Sequence, residues 1–344
     1  MAYVSAPAPA QPARPVRRAP RRWLPRRIAL AGGALALAAL SACSSPSAQP
    51  SRQTAPPAVG AIPRIVGVEH LHLPIERYML TPRQALEYDE ADDAAVRACM
   101  RRLSVPYPAA ARLPAGSAAE REALDAYTVL YRRYGLTDAA EARTWGYHTP
   151  TAASSGTTAA KAAKVAKPRS LSTAARGVLT GVDTSGTPLT SYRGRPVPRG
   201  GCLDEAERLL GAGGSQGPGT DTDGIVTSIK ADGFERSMSD PRVTKVFSAW
   251  SACMTSRGFR MSTPMDEVPS SNGATPSRSE IAQARADVAC KARTNLVGVW
   301  FAVESAYEQA AIAEHRAELD RVVKARDATI RTIDRLSHGD ENQS

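Results

Sequence analysis

The chain is short of the side chains on which most chemistry and most protein interiors depend. Its 344 residues include five His, four Phe, four Trp and ten Tyr. So few imidazoles leave little material for a His-based metal centre or triad, and an Ala-rich interior buries little apolar area per residue. Lysine is scarce too, occurring only at 161, 164, 167, 230, 245, 291 and 324. None of the five cysteines stands in a Cys-x-x-Cys spacing, which weighs against zinc and thiol redox chemistry. The apolar stretch Ile28 to Leu40 has only thirteen residues, fewer than the about 20 that a membrane-spanning helix needs. No Asp or Glu occurs before Cys43.

What stands in that acid-free segment is ordered. Arg14, Arg17, Arg18, Arg21, Arg22, Arg26 and Arg27 form a basic region, the apolar stretch follows, and Leu40-Ser41-Ala42-Cys43 closes it. These three zones make an export signal over 1–42. The closing run resembles the lipobox of bacterial lipoproteins, in which the cysteine receives a diacylglyceryl group and becomes the mature N-terminus. Cys43 is therefore the expected lipidation site, and the chain is expected on the extracellular face of the cell membrane. An ordinary signal cleaved nearby is the alternative, and it too exports the chain. Arg21-Arg22 and Arg26-Arg27 ahead of an Ala- and Gly-rich stretch fit the twin-arginine route as well as the general one.

Export changes the reading of charge. The whole chain is at +10, but removing the seven arginines of the signal leaves 37 basic against 34 acidic residues, about +3. No basic stripe interleaved with aromatics remains, so nucleic acid is not an expected partner. With Cys43 assigned to lipid, Cys99, Cys202, Cys253 and Cys290 are an even set in an oxidising compartment. Two disulfides are expected, and four cysteines allow three connectivities. Cys253 with Cys290 is favoured because both lie on expected helices separated by one loop, leaving Cys99 with Cys202.

The expected fold class is mostly α, braced by two disulfides, with at most a short N-terminal strand. Residues 43–62, rich in Ser, Pro, Ala and Gln, read as a disordered tether near the lipid, with a reach of some 60 Å at about 3 Å per residue. The N-terminal helical part of the body is 63–150, with a strand or extended segment over Ile65 to Leu73 stopped by Pro74. Thr81-Pro82-Arg83-Gln84 opens a helix through Leu103, Ser117 to Glu120 is a capping box for a helix ending at Gly135, and a short helix runs from Asp138 to Trp145. Residues 151–198, low in complexity at their start and poor in large apolar side chains, read as a flexible insertion.

The C-terminal helical part spans 199–338, followed by a disordered tail at 339–344. Helices are expected at Leu203 to Leu210, at Ile225 to Ala231, and from Asp240-Pro241 to Gly258. Glu280 to Leu336 reads as one very long helix, or two joined near Gly298, whose charge-alternating end after Ile312 projects from the body or pairs with a partner helix. Ala-Cys-Met recurs at 98–100 and 252–254, each time ending an amphipathic helix before a turn and a Pro, which fits either a worn duplication or chance in an Ala-rich chain.

Candidates for chemistry are weak. Gly213 to Gly217 matches G-x-S-x-G but follows a helix within a Gly-rich loop, whereas a nucleophile elbow needs a preceding strand. Asp221 to Gly224 has the middle of a calcium loop, yet Gly219 and Lys230 occupy the positions where acids are required. His70 and His72, with Glu69 and Glu76 beside them, are the best metal candidate, against a half-exposed strand that turns Leu71 and Leu73 inward. Glu314 and His315 do not form H-E-x-x-H, and Trp145, Trp250 and Trp300 read as core anchors. No catalytic residue and no cofactor is assigned.

The LPIERYMLTP stretch, RRYGLTDAAEA with WGYH, GCLDEA, the W-x-x-CM-x-x-x-GF helix and DVACKARTNLVGVW before a long charged helix resemble a group of secreted actinomycete lipoproteins. The resemblance covers about Val68 to Leu336. It implies an envelope protein and assigns no functional residue. A non-enzymatic binding or structural role is expected, with the membrane through Cys43 and envelope proteins or peptidoglycan as partners. An envelope enzyme with an unrecognised site is the alternative. A transporter solute-binding protein fits less well, because it needs alternating strands and helices.

Overall fold

A computed structural model describes residues 55–108, 113–149, 171–211, 224–266 and 275–341. The signal, Cys43, most of the expected tether, the G-x-S-x-G segment, Asp221 to Asp223 and the last three residues lie outside the described residues. Ten α-helices are found among those described. They are α1 (Pro82–Arg102), α2 (Ala118–Tyr127), α3 (Ala139–Thr144), α4 (Thr173–Thr180), α5 (Gly201–Leu210), α6 (Ile225–Met238), α7 (Pro241–Ser256), α8 (Arg278–Thr294), α9 (Leu296–Glu314) and α10 (Arg316–Glu341). A 3-10 turn, Pro74–Tyr78, precedes α1, and a two-residue antiparallel pair, β1 (Ser191–Tyr192) with β2 (Arg195–Pro196), precedes α5. None of these helices is long and apolar enough to cross a membrane.

The starts of the helices follow from their caps. The Thr81 hydroxyl accepts the Gln84 N–H while the Gln84 side chain accepts the Thr81 N–H at 3.0 Å, closing a reciprocal box. Ser117, Asp240 and Ser277 accept from the backbone at the starts of α2, α7 and α8. At α8 the Glu280 carboxylate accepts the Tyr147 N–H, at 3.1 Å. The two Ala-Cys-Met helices end alike. Val105 N–H reaches back to the Met100 carbonyl and Phe259 N–H to the Met254 carbonyl, across Ser104 at φ 57° and Gly258 at φ 89°. This six-to-one bond over a left-handed residue is a Schellman ending.

Packing divides into two principal cores, each holding one disulfide. The larger gathers Trp250, Trp300, Phe247, Tyr134, Leu73, Ile75 and Leu319 around Cys253–Cys290, whose Cα atoms are 5.7 Å apart. Trp300 is its hub, with ring centroids of Phe247, Tyr134 and Phe234 at 4.8, 5.0 and 5.3 Å. The smaller joins Val96, Met100, Leu103, Val178 and Val197 around Cys99–Cys202, with Cα atoms 5.6 Å apart. Both pairings are those favoured by the sequence.

Several boundaries need correcting. The helix from Ser117 ends at Tyr127, not Gly135, because Thr128 is extended and Arg132 is left-handed at φ 52°, which turns Leu130 and Tyr134 into the core. No strand forms over Ile65 to Leu73 among the described residues; the segment is irregular and turns at Glu69 and His70, where Leu71 N–H reaches back to the Val68 carbonyl at 3.0 Å. The helix expected to stop at Ala231 runs on to Met238. The insertion expected over 151–198 is packed in its described part: α4 buries Ala175 and Val178, and Val197 joins the same core. The expected tether reaches the body within its described end, where Arg242 donates to the Pro57 carbonyl at 3.0 Å and Val59 packs on the larger core.

The long C-terminal helix is three helices. The first break is at Asn295, left-handed at φ 55°, whose side chain accepts from Ile65 N–H and donates to the Pro63 carbonyl. The second is at His315. Gly298 is not the joint; it lets the Pro63 carbonyl approach, which a Cβ would meet at 2.1 Å. Nor does the distal helix project. α10 lies back on the 3-10 turn, α1, α5 and α6, burying Leu319, Thr329 and Ile333, and Arg326 donates to the Arg77 carbonyl.

Candidate functional site

The irregular segment after α2 organises the interior, residue by residue. Arg132 donates to the Tyr147 and His148 carbonyls at 2.6 and 2.9 Å and pairs with Glu141 at 3.0 Å. Arg133 pairs with Glu304 through its guanidinium and donates to the Lys230 carbonyl at 2.8 Å. The Tyr134 hydroxyl donates to Glu304 at 2.8 Å, and the Leu136 carbonyl accepts from the Lys291 ammonium at 2.9 Å. Gly135, at φ 73°, leaves the space that Lys291 Nζ fills, 2.8 Å from where a Cβ would be. Long polar side chains and a left-handed glycine are what bring five consecutive residues to four helices, α3, α6, α8 and α9.

Two ionic centres are sealed beneath this segment. In the first, Asp287 accepts from Lys291 at 3.0 Å and from Trp250 Nε1 at 2.9 Å, with both ions about 2 % exposed. Burial pushes the Asp287 carboxyl up and the Lys291 ammonium down, and each partner opposes that shift. In the second, Glu304 and Glu308 stand one helical turn apart on α9, both fully buried. Burial raises the Glu304 carboxyl, and Arg133 and Tyr134 counter it. Glu308 accepts only the Ile75 N–H, at 3.0 Å, and its other oxygen has no partner among the described residues. Burial first, then the Glu304 charge, lifts it to about 8. A protonated Glu308 is the form present at neutral pH.

These centres fix the walls of a cleft of about 920 Å³ between residues 68–82 and 125–141. Leu71, Met79, Leu80, Val129 and Leu136 line it apolarly, and Glu69, Asp125 and Asp138 add carboxylates. The Asp125 carboxyl is raised by burial and then by Glu141. Arg132 holds one side while in a left-handed backbone conformation, and its Nε is buried without a partner among the described residues. Strain at a non-glycine residue persists where surrounding bonds over-determine it, and such residues cluster at ligand sites. Concave, mostly apolar cavities with a few fixed polar groups are the usual form of a binding site.

Of the residues singled out from sequence, His72 lines the cleft and its Nδ1 lies 3.0 Å from Glu76. His70 is exposed on an adjoining turn, and no group of three His, Cys, Asp or Glu capable of holding a metal occurs among the described residues. Glu314 is exposed and His315 pairs with Glu318 at 3.8 Å. Trp250 and Trp300 are fully buried, whereas Trp145 is half-buried. Sequence reading passed over Arg132, Arg133, Asp287, Lys291, Glu304 and Glu308. Their signal was present: Glu304 and Glu308, four apart, are the sole charged residues in the mostly apolar run from Leu296 to Ile312. No family model, curated protein or solved structure matches the chain.

Proposed function

We propose that the chain is a lipid-anchored extracytoplasmic protein of the cell envelope, akin to the secreted actinomycete lipoproteins it resembles, and that it binds a partner without transforming it. The cleft between residues 68–82 and 125–141 is the binding site in this reading, with an envelope protein or peptidoglycan as occupant. The observation that carries it is the cleft itself: an apolar cavity large enough for a small ligand, with walls held by sealed ion pairs. The two disulfides support an oxidising compartment, and the basic region, apolar stretch and Cys43 support export and lipidation.

The test has two arms in bacterial cells. Labelling with an alkyne fatty acid is expected to mark the protein and to be lost with Cys43→Ala; label that persists in the variant rejects lipidation at that residue. A photocrosslinking residue in place of Tyr131, on the cleft wall, is expected to capture peptidoglycan or an envelope protein, and one in place of the exposed Arg331 is not. Equal capture at both positions rejects the cleft as the site.

A further inference from the structure

A second concavity, of about 480 Å³, lies where the 3-10 turn passes the end of α9 and the start of α10. Its charged lining is of one sign. Arg77 and Arg316 contribute guanidiniums and His72 an imidazole, beside Ser305 and Gln309, and no carboxylate lines it. Both guanidiniums are on exposed residues, and neither is in an ion pair among the described residues. The nearest acids in sequence, Glu76 and Glu318, are paired with His72 and His315. The Ser305 hydroxyl is buried and has no hydrogen-bond partner among the described residues. A helical serine ordinarily bonds back to the carbonyl one turn earlier, and a buried hydroxyl left unmade costs free energy unless a ligand or water completes it. Phe301 and Ile312 supply an apolar flank.

We propose that this groove binds a phosphate ester, its oxygens held by Arg77, Arg316, His72 and Ser305 and its organic part lying against Phe301. The choice of phosphate over carboxylate follows from donor number. One guanidinium fork already saturates the two oxygens of a carboxylate, whereas two forks, an imidazole and a hydroxyl match the three free oxygens of a phosphate monoester. The groove shares His72 and Arg77 with the rim of the cleft, but Arg316 and Ser305 lie outside the cleft, so the proposal does not depend on what the cleft binds. A soluble monoester and the phosphomonoester headgroup of phosphatidic acid offer the same chemistry, and the test separates them.

Phenyl phosphate is titrated calorimetrically into the purified protein in about 0.15 M salt, near physiological ionic strength. Binding is expected, weakened at least about tenfold by Arg77→Met with Arg316→Met, several-fold by Ser305→Ala, and unchanged by Arg331→Met, which removes an exposed cation elsewhere on α10. Phosphatidic acid vesicles are tested by sedimentation in a Cys43→Ala background, so that an attached lipid cannot carry the protein down. Vesicle binding without phenyl phosphate binding, lost in the double Arg variant, assigns the ester to a headgroup. No binding of either probe, or equal binding by wild type and a double Arg variant that melts as wild type does, overturns the proposal.

Discussion

Glu308 is a carboxyl placed where a carboxylate is costly. It is wholly buried, bonded once to Ile75 N–H, and one turn from the charge of Glu304. Its proton is held up to about pH 8 in the folded chain but is released at about 4.5 when the chain unfolds. Between those values the folded state binds the extra proton, so this group's contribution is fully present below pH 4.5 and is lost as pH rises through 8. Glu308→Gln keeps an acceptor for Ile75 and cannot ionise. It is expected to leave stability at pH 4.5 nearly unchanged and to raise it at pH 8 by on the order of 4 kcal/mol, seen as a higher melting temperature. Equal melting shifts at the two pH values would show that Glu308 ionises as an ordinary glutamate does. Asp287 and Lys291 differ in kind: each has an oppositely charged partner and further hydrogen bonds, so both can stay charged although buried.

Helices with a side-chain cap at Thr81, Ser117, Asp240 and Ser277 begin where the sequence says, and tertiary contacts decide where they end. Thr81, Ser117, Asp240 and Ser277 were legible because a cap is a local bond between side chain and backbone within three residues. The break at Asn295 was not legible, since its left-handed turn is held by Ile65 and Pro63, 230 and 232 residues away. α4 was missed for another reason: Ala175, Gly177 and Val178 fill a tight space with small groups, leaving no apolar stripe to read. The cleft and groove are formed by segments distant in the chain, so only their members' residue types, not their meeting, could be read. Gly298 makes the point testable. Gly to Ala within a helix ordinarily stabilises by about 1 kcal/mol. Here the added Cβ would meet the Pro63 carbonyl at 2.1 Å. Gly298→Ala is therefore expected to destabilise by roughly 1–3 kcal/mol and to speed proteolysis ahead of residue 66. A variant as stable as wild type would remove the close approach as the reason for the glycine.

At the scale of the molecule, each principal core has its own covalent brace. Cys99–Cys202 spans 103 residues and Cys253–Cys290 spans 37, so chain entropy gives each roughly 4–5 kcal/mol. Their effects are expected to be separable. Cys99→Ser with Cys202→Ser should speed amide exchange in α4, the β1–β2 pair and α5, while leaving the environment of Trp250 and Trp300 unchanged by fluorescence. Exchange that rises evenly through both cores would mean that they open as one. Between the braces, residues 132–136 belong to no helix, yet they answer to α6, α8 and α9 through two side chains, a left-handed glycine and a carbonyl. Helix faces tolerate exchange among apolar residues of like volume, but a guanidinium, a phenol and a bare backbone have no such substitutes. Descendants of this chain can thus drift in their helices and remain recognisable by a loop.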